Sequence, residues 1–117
     1  MSDWSPAKVE SAIYECAQRI ATGVMKADTA YKEFLKKDAA YDRAFAVAYL
    51  EAGGPAHERR YAAEVATAGE RDARDVADAA YKLMASNMKA IQSELDALRS
   101  IGTSVRQAYQ VAGVGER

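Results

Sequence analysis

Few side chains in this sequence are of the types that catalyse reactions or bind metals. His57 is the only histidine and Cys16 the only cysteine among 117 residues. A histidine works as a general base or metal ligand only beside suitable partners, and the neighbours of His57 supply none. Cys16 lies on an apolar stripe, which is typical of an inert buried thiol. We therefore predict no catalytic residues, no metal, no cofactor and no small-molecule substrate, and a protein that is not an enzyme.

Two polar residues interrupt the apolar stripes. Asp38 and Asn87 would each be costly to bury without a partner. The favoured interpretation is structural: Asp38 pairs with Arg71 or Arg74 across a seam between helices, and Asn87 sets the register or the oligomeric state.

A basic cluster is the candidate for contact with nucleic acid, since cations beside aromatic rings can bind phosphates and stack on bases. It comprises Lys32, Lys36, Lys37, Arg71 and Arg74, with Tyr31 and Tyr41 nearby. Several acidic residues share this surface, so a solvated face of ion pairs is the competing interpretation. The formal charge of the whole chain is -1, which is unlike a non-specific nucleic-acid binder.

The elements that position these side chains are predicted to be helices. No proline lies between Pro6 and Pro55 or after Pro55, and helix-forming residues dominate both blocks. Ser5 is a suitable N-cap, and Gly53-Gly54-Pro55 is suited to a turn. We predict one helical domain over 1–117, with a helix over 6–52, a turn at 53–55, a helix over 56–111 and a flexible tail over 112–117. The alternative is three helices, if the first helix breaks near 22–28.

Apolar residues recur every three or four positions in both blocks, which predicts an all-α antiparallel helical hairpin of the coiled-coil kind. The second stripe runs through Ala62, Val65, Gly69, Ala73, Val76, Ala80, Leu83, Asn87, Ile91, Leu95, Leu98, Ile101, Val105 and Tyr109. If the chain folds back at the turn, residues whose numbers add to about 108 lie opposite each other. In that register, large side chains of the first helix face small side chains of the second. We expect Gly69→Leu to overpack this seam.

A second apolar face lies beside these stripes, and two helices alone would leave it exposed. Its members are Ala17, Ala21, Met25, Ala77, Tyr81, Met84 and Met88. We predict that it mediates self-association, most simply as a dimer of hairpins forming a four-helix bundle. A folded-back helix of the same chain is the alternative cover. With no apolar run long enough to span a bilayer and no signal sequence, we expect no membrane association and a cytoplasmic location.

Two segments carry a family resemblance. The stretch AFAVAYLEAGG at 44–54, followed by Glu58-Arg59, resembles small alanine-rich helical proteins encoded by tailed bacteriophages, as does LDALRSI at 95–101 with Val105-Arg106. The resemblance implies a phage protein acting in the host cytoplasm as an accessory in DNA recombination or replication. Its partners would be single-stranded DNA or a single-strand-binding or annealing protein. The alternative function is a small inhibitor or adaptor that binds a host protein and has no affinity for nucleic acid.

Overall fold

Residues 3–115, the part described by the computed structural model, form three helices and no strand. Helix α1 spans Pro6–Glu51, α2 spans Ala56–Ala66 and α3 spans Ala68–Gly115. The all-α prediction is therefore confirmed. Helix α3 continues to Gly115, where a flexible tail was predicted from 112. Residues 116–117 lie outside the described part.

The predicted ends of the first helix agree with the structure. The amide of Lys8 donates a hydrogen bond of 3.3 Å to the Ser5 hydroxyl oxygen, so Ser5 satisfies one of the free amides of the first turn. At the other end, Gly54 has a φ of 95°, which costs a glycine little. Pro55 then precedes α2, and its carbonyl accepts hydrogen bonds from the amides of Glu58 and Arg59.

The interruption that makes three helices lies at Thr67, in the second block, and not near 22–28 as the alternative prediction had it. Thr67 has φ -112° and ψ 18°, outside helical geometry. Its side chain is buried, and its hydroxyl donates a hydrogen bond of 2.7 Å to the carbonyl oxygen of Ala63. Such a bond back to the preceding turn competes with regular helix geometry and bends the chain. The continuous helix predicted over 56–111 is thus wrong at this residue.

The chain divides into two compact units. The first consists of Met1–Met25 with Ser86–Arg117, and the second of Lys26–Ala85. This division has a simple cause: a residue on one long helix can reach only those residues of a paired helix that lie at its own height.

In the first unit, the start of α1 packs against the end of α3 in antiparallel fashion. Val9 lies against Gly102, where an added Cβ atom would be 3.0 Å from its Cγ1. Gly23 makes room for the side chain of Met88 in the same way. Val9 and Cys16 are the largest fully buried side chains. The glycines permit close packing here, and Gly23 does not break α1.

In the second unit, aromatic rings line the packing between α1 and the residues that follow the turn. The ring centroids of Tyr31 and Tyr81 are 5.0 Å apart, and the guanidinium of Arg74 lies 4.7 Å from the ring centroid of Tyr41. Nearer the turn, Arg59 lies 6.0 Å from the ring centroid of Tyr49. The pairing is antiparallel in this unit as well.

The contacts between the helices follow the predicted register only in part. Tyr49 with Arg59 adds to the predicted 108, and the bond of the Cys16 thiol to Ile91 adds to 107. Tyr31 with Tyr81 adds to 112 and Val9 with Gly102 to 111, about one helical turn away. The predicted pairing therefore holds at Tyr49 and Cys16 and differs by one turn at Tyr31 and Val9.

The predicted stripe on the second block is also displaced by one residue as far as Asn87. Val65, Val76 and Leu83 were predicted to face the seam but are 79%, 70% and 59% exposed. Ala63, Thr67 and Ala77 are instead buried, and Arg74, Tyr81, Met84 and Met88 are half-buried, as is the predicted position Ala73. From Ile91 onward the predicted positions are buried or half-buried, with the exception of Tyr109, which is 55% exposed.

This displacement has a physical cause. The two candidate stripes share the same spacing of three and four residues, so periodicity alone cannot choose between them. The long side chains of Tyr81, Met84 and Met88 remove more apolar area from water than Ala80, Leu83 and Asn87 would. Asn87 is exposed, so its predicted role inside the seam is wrong.

Neighbouring substitutions in α3 distinguish the two stripes. We expect Met88→Ala to lower the free energy of unfolding by about 1–2 kcal/mol, because it removes a half-buried side chain. Asn87→Ala should change it by less than about 0.5 kcal/mol, since that side chain is exposed. Chemical denaturation of both variants measures the difference. A larger decrease for Asn87→Ala than for Met88→Ala would support the stripe that was predicted from the sequence.

Glycine substitutions provide a second check on packing. No atom lies within 4 Å of a Cβ added at Gly69, so the prediction that Gly69→Leu overpacks the seam is wrong. We expect Gly69→Ala to raise the free energy of unfolding by about 0.5–1 kcal/mol through helix propensity. Gly102→Ala should raise it less or lower it, because its Cβ would press on Val9. If thermal or chemical denaturation showed that Gly69→Ala and Gly102→Ala raise the free energy of unfolding equally, the close contact between Gly102 and Val9 would be contradicted.

Candidate interaction surface

The candidates for catalytic chemistry are isolated from one another. His57 is exposed in the first turn of α2. Cys16 is 1% exposed, and its thiol donates to the main-chain oxygen of Ile91 at 3.4 Å. Within the described part of the chain, no group of three His, Cys, Asp or Glu residues is arranged to hold a metal ion. No helix among the described residues is both long and apolar enough to cross a membrane.

Three of the five cations proposed for nucleic-acid contact are paired with carboxylates. Lys32 lies 2.9 Å from Asp28, and Lys37 lies 3.7 Å from Glu33, both one turn away on α1. These short-range pairs are exposed, so each adds little to stability. They do, however, neutralise much of the positive charge that the protein would need in order to bind a phosphate backbone.

Arg74 is the third paired cation and the centre of a small polar cluster. Its guanidinium lies 3.0 Å from the Asp75 carboxylate and 3.8 Å from Asp38, over the Tyr41 ring. The expected pairing of Asp38 across the helices is therefore present, with Arg74. The hydrogen bond to Asp75, followed by the charges of Asp75 and Asp38, raises the pKa of Arg74, so this guanidinium keeps its charge at all physiological pH values.

Two members of the basic cluster remain without an ion pair among residues 3–115. Lys36 and Arg71 are both exposed, on α1 and α3 respectively. The basic surface is therefore much smaller than the sequence suggested.

The predicted self-association face does not form as one surface. Ala17, Ala21 and Met25 are exposed on α1, with Met25 at 73%. On α3, Ala77 is buried and Tyr81, Met84 and Met88 are half-buried against α1. The α3 half of this face is therefore the seam itself, because the larger side chains occupy the contact between the helices.

A different apolar surface is exposed in the second unit, which we call the apolar flank. It consists of two shallow grooves along one side of the pair of helices. The α1 wall carries Ala40, Ala44 and Val47, and the α3 wall carries Ala73, Val76 and Ala80. Leu50 and Leu83 continue these rows, three residues beyond Val47 and Ala80, and are 76% and 59% exposed.

Charged residues border both grooves of the apolar flank. Glu33 and Lys37 of α1 and Asp72 of α3 line one groove. Arg43 and Glu51 of α1 and Glu70 of α3 line the other. The α1 wall thus carries charges of both signs, and the α3 wall carries carboxylates, on either side of an apolar floor.

The residues of this flank have a recognisable spacing in the sequence, but that spacing led to the prediction that they lie in the seam. Val76, Ala80 and Leu83 follow one another at helical spacing, as a buried stripe would. Once the seam is known to run through Ala77 and Tyr81, the same residues lie one position to its side. Sequence reasoning did not single out Arg43 or Glu70 for any function.

A third groove lies in the first unit, between the residues before α1 and the end of α3. Trp4, Ile101, Val105 and Tyr109 supply its apolar lining, with two serine hydroxyls beside them. A site for a polar ligand needs convergent charged or polar groups, which this lining lacks. We interpret it as apolar contact surface.

Comparisons of the chain with protein-family models, with curated proteins and with solved structures found no match. Function must therefore be argued from the surfaces described above.

Proposed function

We propose that this protein is a non-enzymatic interaction protein that acts through the exposed faces of an antiparallel helical hairpin, with two hairpins assembling into a four-helix bundle. The observation that carries the proposal is the balance between buried and exposed apolar side chains. Only Val9, Cys16, Ala63, Ala77 and Leu98 form a buried apolar core in the described residues, whereas fourteen large hydrophobic side chains are exposed. A chain of this length that functions alone normally buries much more.

The paired helices also suit such a role. A long helix presents residues in straight rows along its surface, so a partner helix can pack against many of them at once. Contacts of this kind need no catalytic group, and no cofactor enters the proposal. The partner supplies the second half of a core that a single hairpin cannot complete.

The narrower form of the proposal is the accessory role in phage recombination or replication, in the host cytoplasm. It rests on the family resemblance and on Lys36 and Arg71, which remain available to phosphates. The alternative is an inhibitor or adaptor that binds a host protein without nucleic acid. The neutralised charges of Lys32, Lys37 and Arg74 favour this alternative over extensive DNA contact.

Molar mass in solution tests the assembly. We expect light scattering to give twice the 12.7 kDa of one chain for the native protein. Val76→Glu should shift the protein toward monomer, because it places a charge on the apolar flank. Val111→Glu is the matched control, since Val111 is similarly exposed, at 73% against 70%, but lies in the first unit. A native monomer at all concentrations would contradict the proposed assembly.

Binding to single-stranded DNA tests the narrower role. If Lys36 and Arg71 bind phosphates, the variant Lys36→Glu/Arg71→Glu should bind an oligonucleotide more weakly. Its affinity should also depend less on salt, with a slope smaller by about one unit for each phosphate that is no longer neutralised. Fluorescence anisotropy at several salt concentrations measures both quantities.

The control for this experiment is Lys89→Glu/Arg106→Glu, which makes the same change in net charge at exposed positions of the other unit. Equal weakening in both variants would indicate attraction by net charge alone. If the native protein did not bind the oligonucleotide at low salt, the DNA role would be contradicted and the adaptor alternative would stand.

A further inference from the structure

The seam of the first unit contains the thioether of Met88, which packs against the main chain of α1. Its sulfur atom occupies the place that a Cβ atom at Gly23 would take. Met88 is half-buried, and both residues belong to the first unit. The side chain is therefore part of the packing between the helices and is still partly open to small solutes.

A thioether at such a position has a defined chemistry with hydroperoxides. The sulfur gives two electrons to the peroxide, the O–O bond breaks, and one oxygen atom becomes bonded to sulfur while water or an alcohol leaves. The product, methionine sulfoxide, is polar and accepts hydrogen bonds, and methionine sulfoxide reductases return it to the thioether. Oxidation therefore changes an apolar contact into a polar one, and the change is reversible.

The α1 side of this contact has no donor for a sulfoxide oxygen. Ile20 and Ala27, the half-buried residues one turn before and after Gly23, are apolar. Gly23 itself lies in the interior of α1, where each main-chain amide already donates to the carbonyl four residues earlier. An acceptor placed there without a donor is costly, and the sulfur is too close to Gly23 for an oxygen atom to fit between them.

We propose that Met88 is a redox-sensitive switch within the seam. A hydroperoxide converts its thioether to the sulfoxide, and the start of α1 then separates from α3 in the first unit. Reduction of the sulfoxide restores the packing. The assembly of hairpins is not needed for this response, which takes place within one chain.

Cys16 provides a local probe of that separation. It is 1% exposed, and its thiol donates to the carbonyl oxygen of Ile91, three residues after Met88 on α3. A thiol reagent can reach Cys16 only when α1 and α3 move apart here. The rate at which such a reagent labels Cys16 therefore measures opening next to Met88.

The test treats the protein with hydrogen peroxide and follows the addition of oxygen to each methionine by peptide mass spectrometry. Met25, which is 73% exposed, should be oxidised first, with no change in the thermal midpoint. Oxidation of Met88 should then lower the thermal midpoint by at least about 4 °C and increase the labelling rate of Cys16 at least about fivefold. Titration of thiols in denaturant, after removal of the peroxide, establishes that Cys16 itself is still reduced.

Matched variants identify the methionine responsible. Met88→Leu removes the thioether and keeps an apolar side chain of similar size, so peroxide should leave its thermal midpoint and its Cys16 labelling unchanged. Met84→Leu makes the same change at the other half-buried methionine of the seam and should respond as the native protein does. Met88→Gln, without peroxide, should show the same shifts as the oxidised native protein, because glutamine places a polar group in the seam.

Four results would overturn the switch. Met88 would stay a thioether after Met25 is fully oxidised, which would mean that peroxide does not reach it. Native protein oxidised at Met88 would keep its thermal midpoint and its slow labelling of Cys16. Met88→Leu would lose stability in peroxide as the native protein does, which would assign the effect to another residue. Reduction of Met88 by a methionine sulfoxide reductase would fail to restore the midpoint and the labelling rate, which would indicate irreversible damage.

Discussion

The seam between α1 and the residues after the turn is the constraint on which the rest of the structure depends. Two paired helices each bury one narrow stripe, so the choice of stripe decides the position of every other side chain. In α3 the choice falls on Tyr81, Met84 and Met88, with Gly23 giving Met88 the space it needs. Val76, Leu83 and Asn87, one position to the side, are then left on the surface.

Polar interactions adjust this seam without providing its main stability. Arg74 bridges to Asp38 across the helices and covers the ring of Tyr41, so it combines an ion pair with apolar contact by its side chain. The Thr67 hydroxyl bonds to the Ala63 carbonyl near the end of α2. The exposed pairs between lysines and carboxylates on α1 act mainly to cancel charge.

The apolar flank follows directly from the narrow seam. Val47 and Val76, which a third layer of structure would normally cover, are exposed in the second unit beside rows of alanine and charged side chains of both signs. Such a surface is costly to leave in water and is typical of a contact with another protein. Assembly therefore offers a physical reason for residues that have no role within a single chain.

The sequence by itself determined the helices, their capped beginning and the turn, because proline spacing, helix propensity and the residues Ser5 and Gly54 act over a few neighbouring positions. It also indicated the stripe from Ile91 to Val105, where the bulky side chains occur in a single row. It could not choose between the two rows before Asn87, since their spacing is the same. Only the tertiary structure decided that Tyr81 and Met88 are covered while Val76 and Leu83 are exposed, because that choice depends on the space available on α1. The pairing of Arg74 with Asp38 was decided at the same level, by contacts between residues far apart in the chain.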